Sequence, residues 1–222
     1  PDGAGGFNPE LEPTRGVSLE GGVRGRLGTT WSFEATAYRT SLDDELVPFE
    51  VPAQPGRTFF RNAGESRHTG LELVLDGRPA PEVGLRLAYT RVDGRFERYQ
   101  VDGEDLAGNR LPGIAPNRAD GTLTWEPAGM GFVEIRGLWQ DEVPVDDANT
   151  AGSPSYFLAD LRGGLDGVEA GTLTLAPWAA VTNVLDRRYN TAVTVNAFGG
   201  RYFEPGPPRS FRLGLRLTWS SR

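Results

Sequence analysis

The 222-residue chain has no cysteine and no lysine, and only one histidine and one methionine. Without cysteine there are no disulfides, thiolate metal sites or thiol nucleophiles, and the chain is compatible with any redox compartment. All 23 basic residues are arginine, an imbalance that no single physical demand produces and that a GC-rich coding sequence explains. They are outnumbered by 30 acidic residues, and the net charge of -7 argues against nucleic acid as a partner, since phosphate backbones call for a basic face. A long hydrophobic run is missing as well. Mean hydropathy is -0.40, and no stretch approaches the roughly 18 consecutive apolar residues of a spanning helix. That excludes a helical membrane protein but not a barrel, whose strands are half polar by construction. The chain opens with the loop-like PDGAGGFNPELEPT and not with a signal peptide, so any export signal is expected upstream.

What the chain has is alternation. In RSFRLGLRLTW, Phe211, Leu213, Leu215, Leu217 and Trp219 share one parity, opposed by Ser210, Arg212, Gly214, Arg216 and Thr218. A period of two describes a strand with one apolar and one polar face. The same pattern recurs at Val17–Leu27, Trp31–Ala37, Leu71–Asp76, Val83–Thr90, Asp120–Trp125, Val133–Gln140, Phe157–Asp166 and Thr172–Thr182. This predicts about nine strands of roughly ten residues, the length that crosses a bilayer at a tilt.

The connections alternate too. Gly28–Thr30, Gly77–Glu82, Pro127–Gly131 and Gly167–Gly171 are short; Asp43–Thr58, Tyr99–Pro116, Val143–Pro154 and Arg187–Pro208 are long. Short turns on one side and long loops on the other are the habit of an outer-membrane barrel, whereas a Greek-key sandwich has no reason to sort its loops. The fold class expected is therefore all-β, an antiparallel transmembrane β-barrel segment. Short periplasmic turns would place the long loops outside and the C-terminus in the periplasm. An odd strand count marks an incomplete barrel, because whole bacterial barrels have even numbers. Trp31, Tyr89, Trp125, Trp139, Phe157 and Trp219, near strand ends, suit interfacial girdles. Two alternatives remain at this point: a small self-contained outer-membrane barrel, either pore or enzyme, and a soluble β-sandwich binding module whose charged parity is a solvated face.

Five segments, in order, resemble the C-terminal portion of TonB-dependent receptors. They are FNPELEPTRGVSLEGGVRG (from Phe7), RNAGESRHTGLELVL (from Arg61), GNRLPGIAPNRADGTLTW (from Gly108), VTNVLDRRYN (from Val181) and GGRYFEPGPPRSFRLGLRLTW (from Gly199). Asn117 and Arg118 stand where the family commonly has His, and Val184 and Leu185 where it has Leu and Phe. The resemblance implies that residues 1–222 are the C-terminal part of a receptor barrel without its plug domain. It implies active uptake across a Gram-negative outer membrane, with a ferric siderophore as ligand and TonB acting through the missing plug. Outer-membrane lipid, lipopolysaccharide and the barrel assembly machinery are the other implied partners, and no cofactor is implied. Arg212, Gly214, Leu217 and Trp219 resemble the terminal assembly signal, although Ser220, Ser221 and Arg222 follow the usual last aromatic.

Ligand contacts are expected from the long loops. Arg57, Tyr99, Arg110, Arg201, Tyr202 and Phe203 are the candidates, because arginine and aromatic rings suit anionic, ring-bearing chelates. Asn183, Asp186 and Tyr189 of the fourth motif are expected to shape a strand exit. No catalytic constellation stands out. His68 lies two residues from Ser66 but is read as a solvated or lumen side chain. The acidic runs Glu104-Asp105, Asp141-Glu142 and Asp146-Asp147 lack calcium-loop spacing and are read as solvated loop tips. Pro177, inside a strand pattern, predicts a bulge or local break.

Overall fold

The computed structural model describes residues 9–220; Phe7 and Asn8 of the first motif, and Ser221 and Arg222 of the tail, lie outside the described residues. In chain order the strands are β1 (Arg15–Leu27), β2 (Trp31–Asp43), β3 (Leu46–Glu50), β4 (Thr58–Asn62), β5 (Glu65–Ala80) and β6 (Val83–Arg98). Then follow β7 (Gln100–Val101), β8 (Glu104–Asp105), β9 (Asn117–Trp125), β10 (Gly131–Gln140), β11 (Val143–Pro144) and β12 (Gly152–Ser153). The chain ends with β13 (Tyr156–Leu165), β14 (Val168–Ala170), β15 (Leu173–Thr182), β16 (Asn190–Val193), a 3-10 turn (Phe198–Gly200), β17 (Phe203–Pro205) and β18 (Ser210–Trp219).

Ten of these form one antiparallel sheet in the order β1-β2-β5-β6-β9-β10-β13-β15, with β18 on the far side of β15 and the short β14 also paired to β15. All nine expected strands occur in it. Three run well beyond the alternation, since β2 continues past Ala37 to Asp43, β5 begins at Glu65 and not near Leu71, and β6 runs on to Arg98. Their outer parts carry Glu65, Arg67, Arg91, Asp93 and Arg95 on the parity that is apolar lower down, and this hid them from a hydrophobic pattern. The first long loop accordingly ends at Gly64 and contains the β3–β4 hairpin.

Register carries the alternation from strand to strand. Odd residues pair with odd along the long strand pairs, apart from register shifts at the two ends of β5–β6: Val23 with Ala35, Phe33 with Leu75, Leu75 with Leu87, Leu85 with Leu123, Leu123 with Ile135, Ile135 with Leu161, Leu161 with Val181 and Ala179 with Leu213. One face is thus apolar from β1 to β18. The opposite face brings Asp76 against Arg86 (2.9 Å) and carries Glu134, Arg136, Asp160, Arg162 and Arg212. A sandwich would cover the apolar face with a second sheet. Here it is bare among the described residues, with Leu213 85% exposed. β1 and β18 form the two ends of the sheet and do not pair with each other, so the wall is open in this chain.

Pro177 produces the expected break, on the partner side. β15 pairs with β18 without a register shift, Pro177 opposite Leu215. Along its other edge β13 reaches Gly164 opposite Trp178, and β14 resumes with Val168 opposite Leu175. Leu165, Asp166 and Gly167 therefore oppose only Ala176 and Pro177, an extra residue of the kind a bulge accommodates.

Aromatic rings lie across neighbouring glycines. A Cβ on Gly77 would meet the Trp31 ring at 2.1 Å, and one on Gly214 would meet the Trp178 ring at 2.3 Å. On the polar face, beside Trp178, Arg162 sits 5.1 Å from the Trp178 ring centre and 5.3 Å from that of Phe132, a cation between two π faces. The Gly214→Ala substitution is expected to displace Trp178 and to cost about 1–3 kcal/mol of stability. Urea unfolding of the detergent-solubilised protein checks this, and adding Trp178→Ala should recover part of the loss.

Candidate functional site

Most buried hydrophobic side chains lie at the loop end of the sheet and not along its apolar face. Val47, Ala63, Phe96, Tyr99, Leu106 and Leu111 make one cluster, with Val101, Ile114 and Ala148 packed on it. They come from the long connections and from the top of β6. Three of the four long loops fold their own small hairpin, β3–β4, β7–β8 and β11–β12, and the fourth pairs β16 with β17. Together the loops form a cap over one end of the sheet.

Asp147 joins all four loops. It is 4% exposed. Its Oδ2 accepts hydrogen bonds from the Tyr99 hydroxyl (2.9 Å) and from Arg61 Nη2 (3.3 Å), and Arg61 Nε also donates to Tyr99 Oη (2.7 Å). Oδ1 accepts from Asn196 Nδ2 (2.9 Å), which also donates to the Pro48 carbonyl (2.9 Å). The Asp147 amide donates to Asn196 Oδ1 (3.0 Å), and its carbonyl accepts from Asn109 Nδ2 (3.0 Å). A buried carboxylate is costly unless paired and hydrogen-bonded, and here both oxygens have partners. The Arg61 guanidinium also covers the Phe49 ring at 4.7 Å. Burial, with the Asp147 charge beside it, raises the Tyr99 hydroxyl well above its ordinary pKa, so it stays a donor.

A second clasp joins the first and fourth loops. Glu50 Oε2 accepts from the Gly56 amide (3.2 Å), the Phe198 amide (3.1 Å) and Arg201 Nη2 (3.1 Å). The Gly56 hydrogen bond, then those from Phe198 and Arg201, outweigh the opposing effect of burial and lower its pKa.

Of the expected contact residues, Arg201 belongs to this clasp and Arg57 follows Gly56 in the chain, its guanidinium donating to Gln54 (2.9 Å); both are exposed. Arg57 lies 5.1 Å from the Phe59 ring centre, and the Tyr202 and Phe203 rings meet edge to face at 5.9 Å. Arg110 is exposed elsewhere, its backbone held by Asn149 through two hydrogen bonds of 2.8 and 2.9 Å. Tyr99 must be corrected. At 3% exposed, with its hydroxyl engaged by Arg61 and Asp147, it is an internal post of the cap and not a contact surface.

Asp146 and Asp147 are likewise not solvated tips. Asp146 is 8% exposed and accepts from the Thr150 amide (2.8 Å) and hydroxyl (3.0 Å) and from the Ala151 amide (2.8 Å). Among the described residues no group of three or more His, Cys, Asp or Glu is placed to hold a metal. Ser66 is 1% exposed and donates to Glu45, whose other oxygen lies 3.6 Å from His68 Nε2, so both side chains face the carboxylate and not each other.

Asn183 and Asp186 hold the exit from β15 in left-handed conformations, φ 51 and 50. Asn183 Nδ2 donates to the Arg187 carbonyl (2.9 Å), and Asp186 Oδ1 accepts from the Arg209 amide (3.1 Å). Tyr189 packs on Tyr156 at 4.9 Å. Arg212, Gly214, Leu217 and Trp219 all lie within β18.

An apolar outer face, a charged inner one and a loop cap at one end agree with the family model for the TonB-dependent receptor-like β-barrel, which matches residues 1–176. The chain belongs to this family. Members are β-barrels of the Gram-negative outer membrane and act as receptors, not as enzymes. A probable TonB-dependent siderophore receptor, PiuA of Acinetobacter baumannii, is 24% identical over 227 residues, covering 96% of this chain and 28% of PiuA. The ferrioxamine receptor of Yersinia enterocolitica is 28% identical over 176 residues, covering 74% of this chain and 22% of its own length. The chain thus spans less than a third of either relative. Its fold matches the crystal structure of PiuA with a TM-score of 0.71 at 23% identity, over 90% of this chain and 28% of that one. It also matches the copper transporter OprC with a TM-score of 0.68 at 18% identity, over 91% and 31%.

Two outcomes are expected of this receptor barrel. Asp147→Ala leaves Arg61 without its carboxylate and should weaken the cap by about 2–3 kcal/mol, below the figure for a fully buried pair because Arg61 keeps 33% of its side chain exposed. Amide exchange should then rise together in all four loops and not in β9 or β10. Glu50 has a lowered folded pKa, so its contribution is complete above the ordinary glutamate value of about 4.3 and is lost as pH falls through the lowered value. Proteolysis at the tip of the first loop should accelerate in that acid window, and Glu50→Gln should remove the pH dependence.

Proposed function

We propose that this chain supplies the C-terminal wall and four external loops of a receptor that takes up a ferric siderophore across the outer membrane, energised by TonB. The observation that carries this reading is the single-parity apolar face running over nine strands, with every long loop gathered at one end. Lipid covers that face, the charged parity lines an aqueous interior, and the loops stand outside the cell. In this reading the plug, which TonB contacts, and the remaining strands belong to parts of the protein beyond these 222 residues. They complete the edges of β1 and β18, which are costly to leave unpaired in hydrocarbon. The barrel assembly machinery reads β18.

A siderophore is favoured over other cargo by the relatives' names and by the cap surface. Arg57, Arg201 and Phe203 present positive charge and an aromatic ring to an anionic chelate. Fold alone does not choose the cargo, since a copper transporter shares it.

Deleting the whole gene from its host should abolish uptake of at least one iron-labelled siderophore and leave copper uptake intact. Loss of copper uptake with all iron uptake preserved would overturn the cargo. Orientation has its own test, helped by the absence of cysteine in this chain. In the full-length receptor on whole cells, a membrane-impermeant maleimide should label Glu104→Cys and not Thr29→Cys; the reverse result refutes loops outside.

A further inference from the structure

The only histidine of the chain, His68, stands on the inner parity of β5 at the foot of the first long loop. Thr40 of β2 and Gly94 of β6 lie opposite it. The loop leaves β2 through Asp44, whose left-handed backbone (φ 56) turns the chain. Glu45 then ties the two ends of the loop together. The Asp44 amide donates to the Gly64 carbonyl (3.1 Å), and the Ala63 amide to the Glu45 carbonyl (2.7 Å). The Ser66 hydroxyl donates to Glu45 Oε2. Ala63 is fully buried in the core of the cap, so this foot is continuous with the cluster around Phe96.

One contact in the foot is incomplete. His68 Nε2 is buried and has no hydrogen-bond partner among the described residues, yet it lies 3.6 Å from Glu45 Oε1, just beyond hydrogen-bond length. A buried nitrogen left unpaired costs free energy. Burial opposes the charge of Glu45, but His68 and Ser66 outweigh it and lower the pKa of the carboxyl. Other charges stand back from the ring. Its neighbours on the inner face are Tyr38 and Leu42 of β2, Ser66 and Gly70 of β5, and Val92 and Phe96 of β6, with Leu111 and Ile114 of the second loop over Gly94. Glu72 lies beyond Gly70, and Arg98, at the loop end, is held by Glu65 at 2.7 Å. Arg67, on the opposite parity, pairs with Glu97 at 2.8 Å.

We propose that His68 and Glu45 form a proton-operated latch that tightens the first loop, and the cap with it, in mildly acidic medium. A proton turns the ring nitrogen into a cationic donor aimed at Oε1, and charge-assisted bonds are shorter and stronger than neutral ones. An imidazole ordinarily gains that proton between about pH 5 and 8. The two side chains meet only in the folded protein, so the latch strengthens as pH falls through that range and loosens as pH rises. Glu45, with its lowered pKa, stays a carboxylate throughout and offsets none of this. The Glu50 clasp is lost only further down, below the ordinary glutamate value of about 4.3. The cap is tightest between these two limits. The latch needs only the foot of the loop, and neither a particular cargo nor an orientation of the loops.

The test is amide exchange, read by mass spectrometry on the full-length receptor in detergent and corrected for the intrinsic pH dependence of exchange. Peptides containing Asp44 and Ala63 should be about fivefold better protected near pH 6 than near pH 8, with β9 and β10 unchanged. His68→Gln, which carries no titrating ring, should abolish the difference, and Glu45→Gln should abolish it independently. Heat-modifiable migration on gels confirms that each variant is folded. Equal protection of the wild-type loop at the two pH values would refute the latch without any variant. A difference that survives in folded His68→Gln would assign the effect to another group and overturn it as well.

Discussion

Backbone hydrogen bonding between neighbouring strands ties odd residues to odd and even to even along the long pairs from Arg15 to Trp219, with shifts confined to the ends of β5–β6. A slip of one residue anywhere would turn a whole strand's leucines to the charged side. The division into an oily outer surface and a polar inner one therefore depends on the ladder more than on any side chain. Features that look like defects protect it. The bulge beside Pro177 absorbs the missing donor in the partner of β15 and leaves the β15–β18 register intact. The glycines under Trp31 and Trp178 let large rings lie flat without spreading the strands.

The molecule divides its physical chemistry between wall and loops. The wall has almost no protein core, because its outer face awaits lipid. The buried side chains that a soluble domain would place beneath its sheet lie instead among the loops, around Phe96, Tyr99 and Leu106. There the carboxylate of Asp147 serves as a junction. Charge, two hydrogen-bonding oxygens and burial together give a geometry that Asn196, Arg61 and Tyr99 satisfy only when all four loops are docked.

The wall was legible in the sequence because a period of two is local and repeats. Leu213, Leu215 and Leu217 announce their face without knowledge of any neighbour. Pro177 was legible for the same reason, through a missing N–H that any strand must accommodate. The outer ends of β5 and β6 were not, since Arg67 and Arg95 break the alternation where the strands leave the apolar band. The cap was illegible for a different reason. Asn196 donates to Pro48 across 148 positions and Glu50 binds Arg201 across 151, and no local pattern marks either partner. Tyr99 shows the cost: its residue type suggested a ligand contact, whereas its burial depends on Arg61 and Asp147, both distant in the chain.

Those separations bear on the order in which the chain can fold. Hairpins such as β1–β2 and β9–β10 join near neighbours and close early, while contacts of high sequence separation pay loop entropy first and form late. Asp147 gains Pro48 through Asn196 only after β15 has left the wall and its exit loop has returned. The cap is thus the final piece to consolidate, and its closure certifies that the intervening strands have threaded correctly. A misthreaded intermediate would keep Phe96 and Leu106 uncovered, a visible hydrophobic flag for quality control before the loops are ever asked to bind anything.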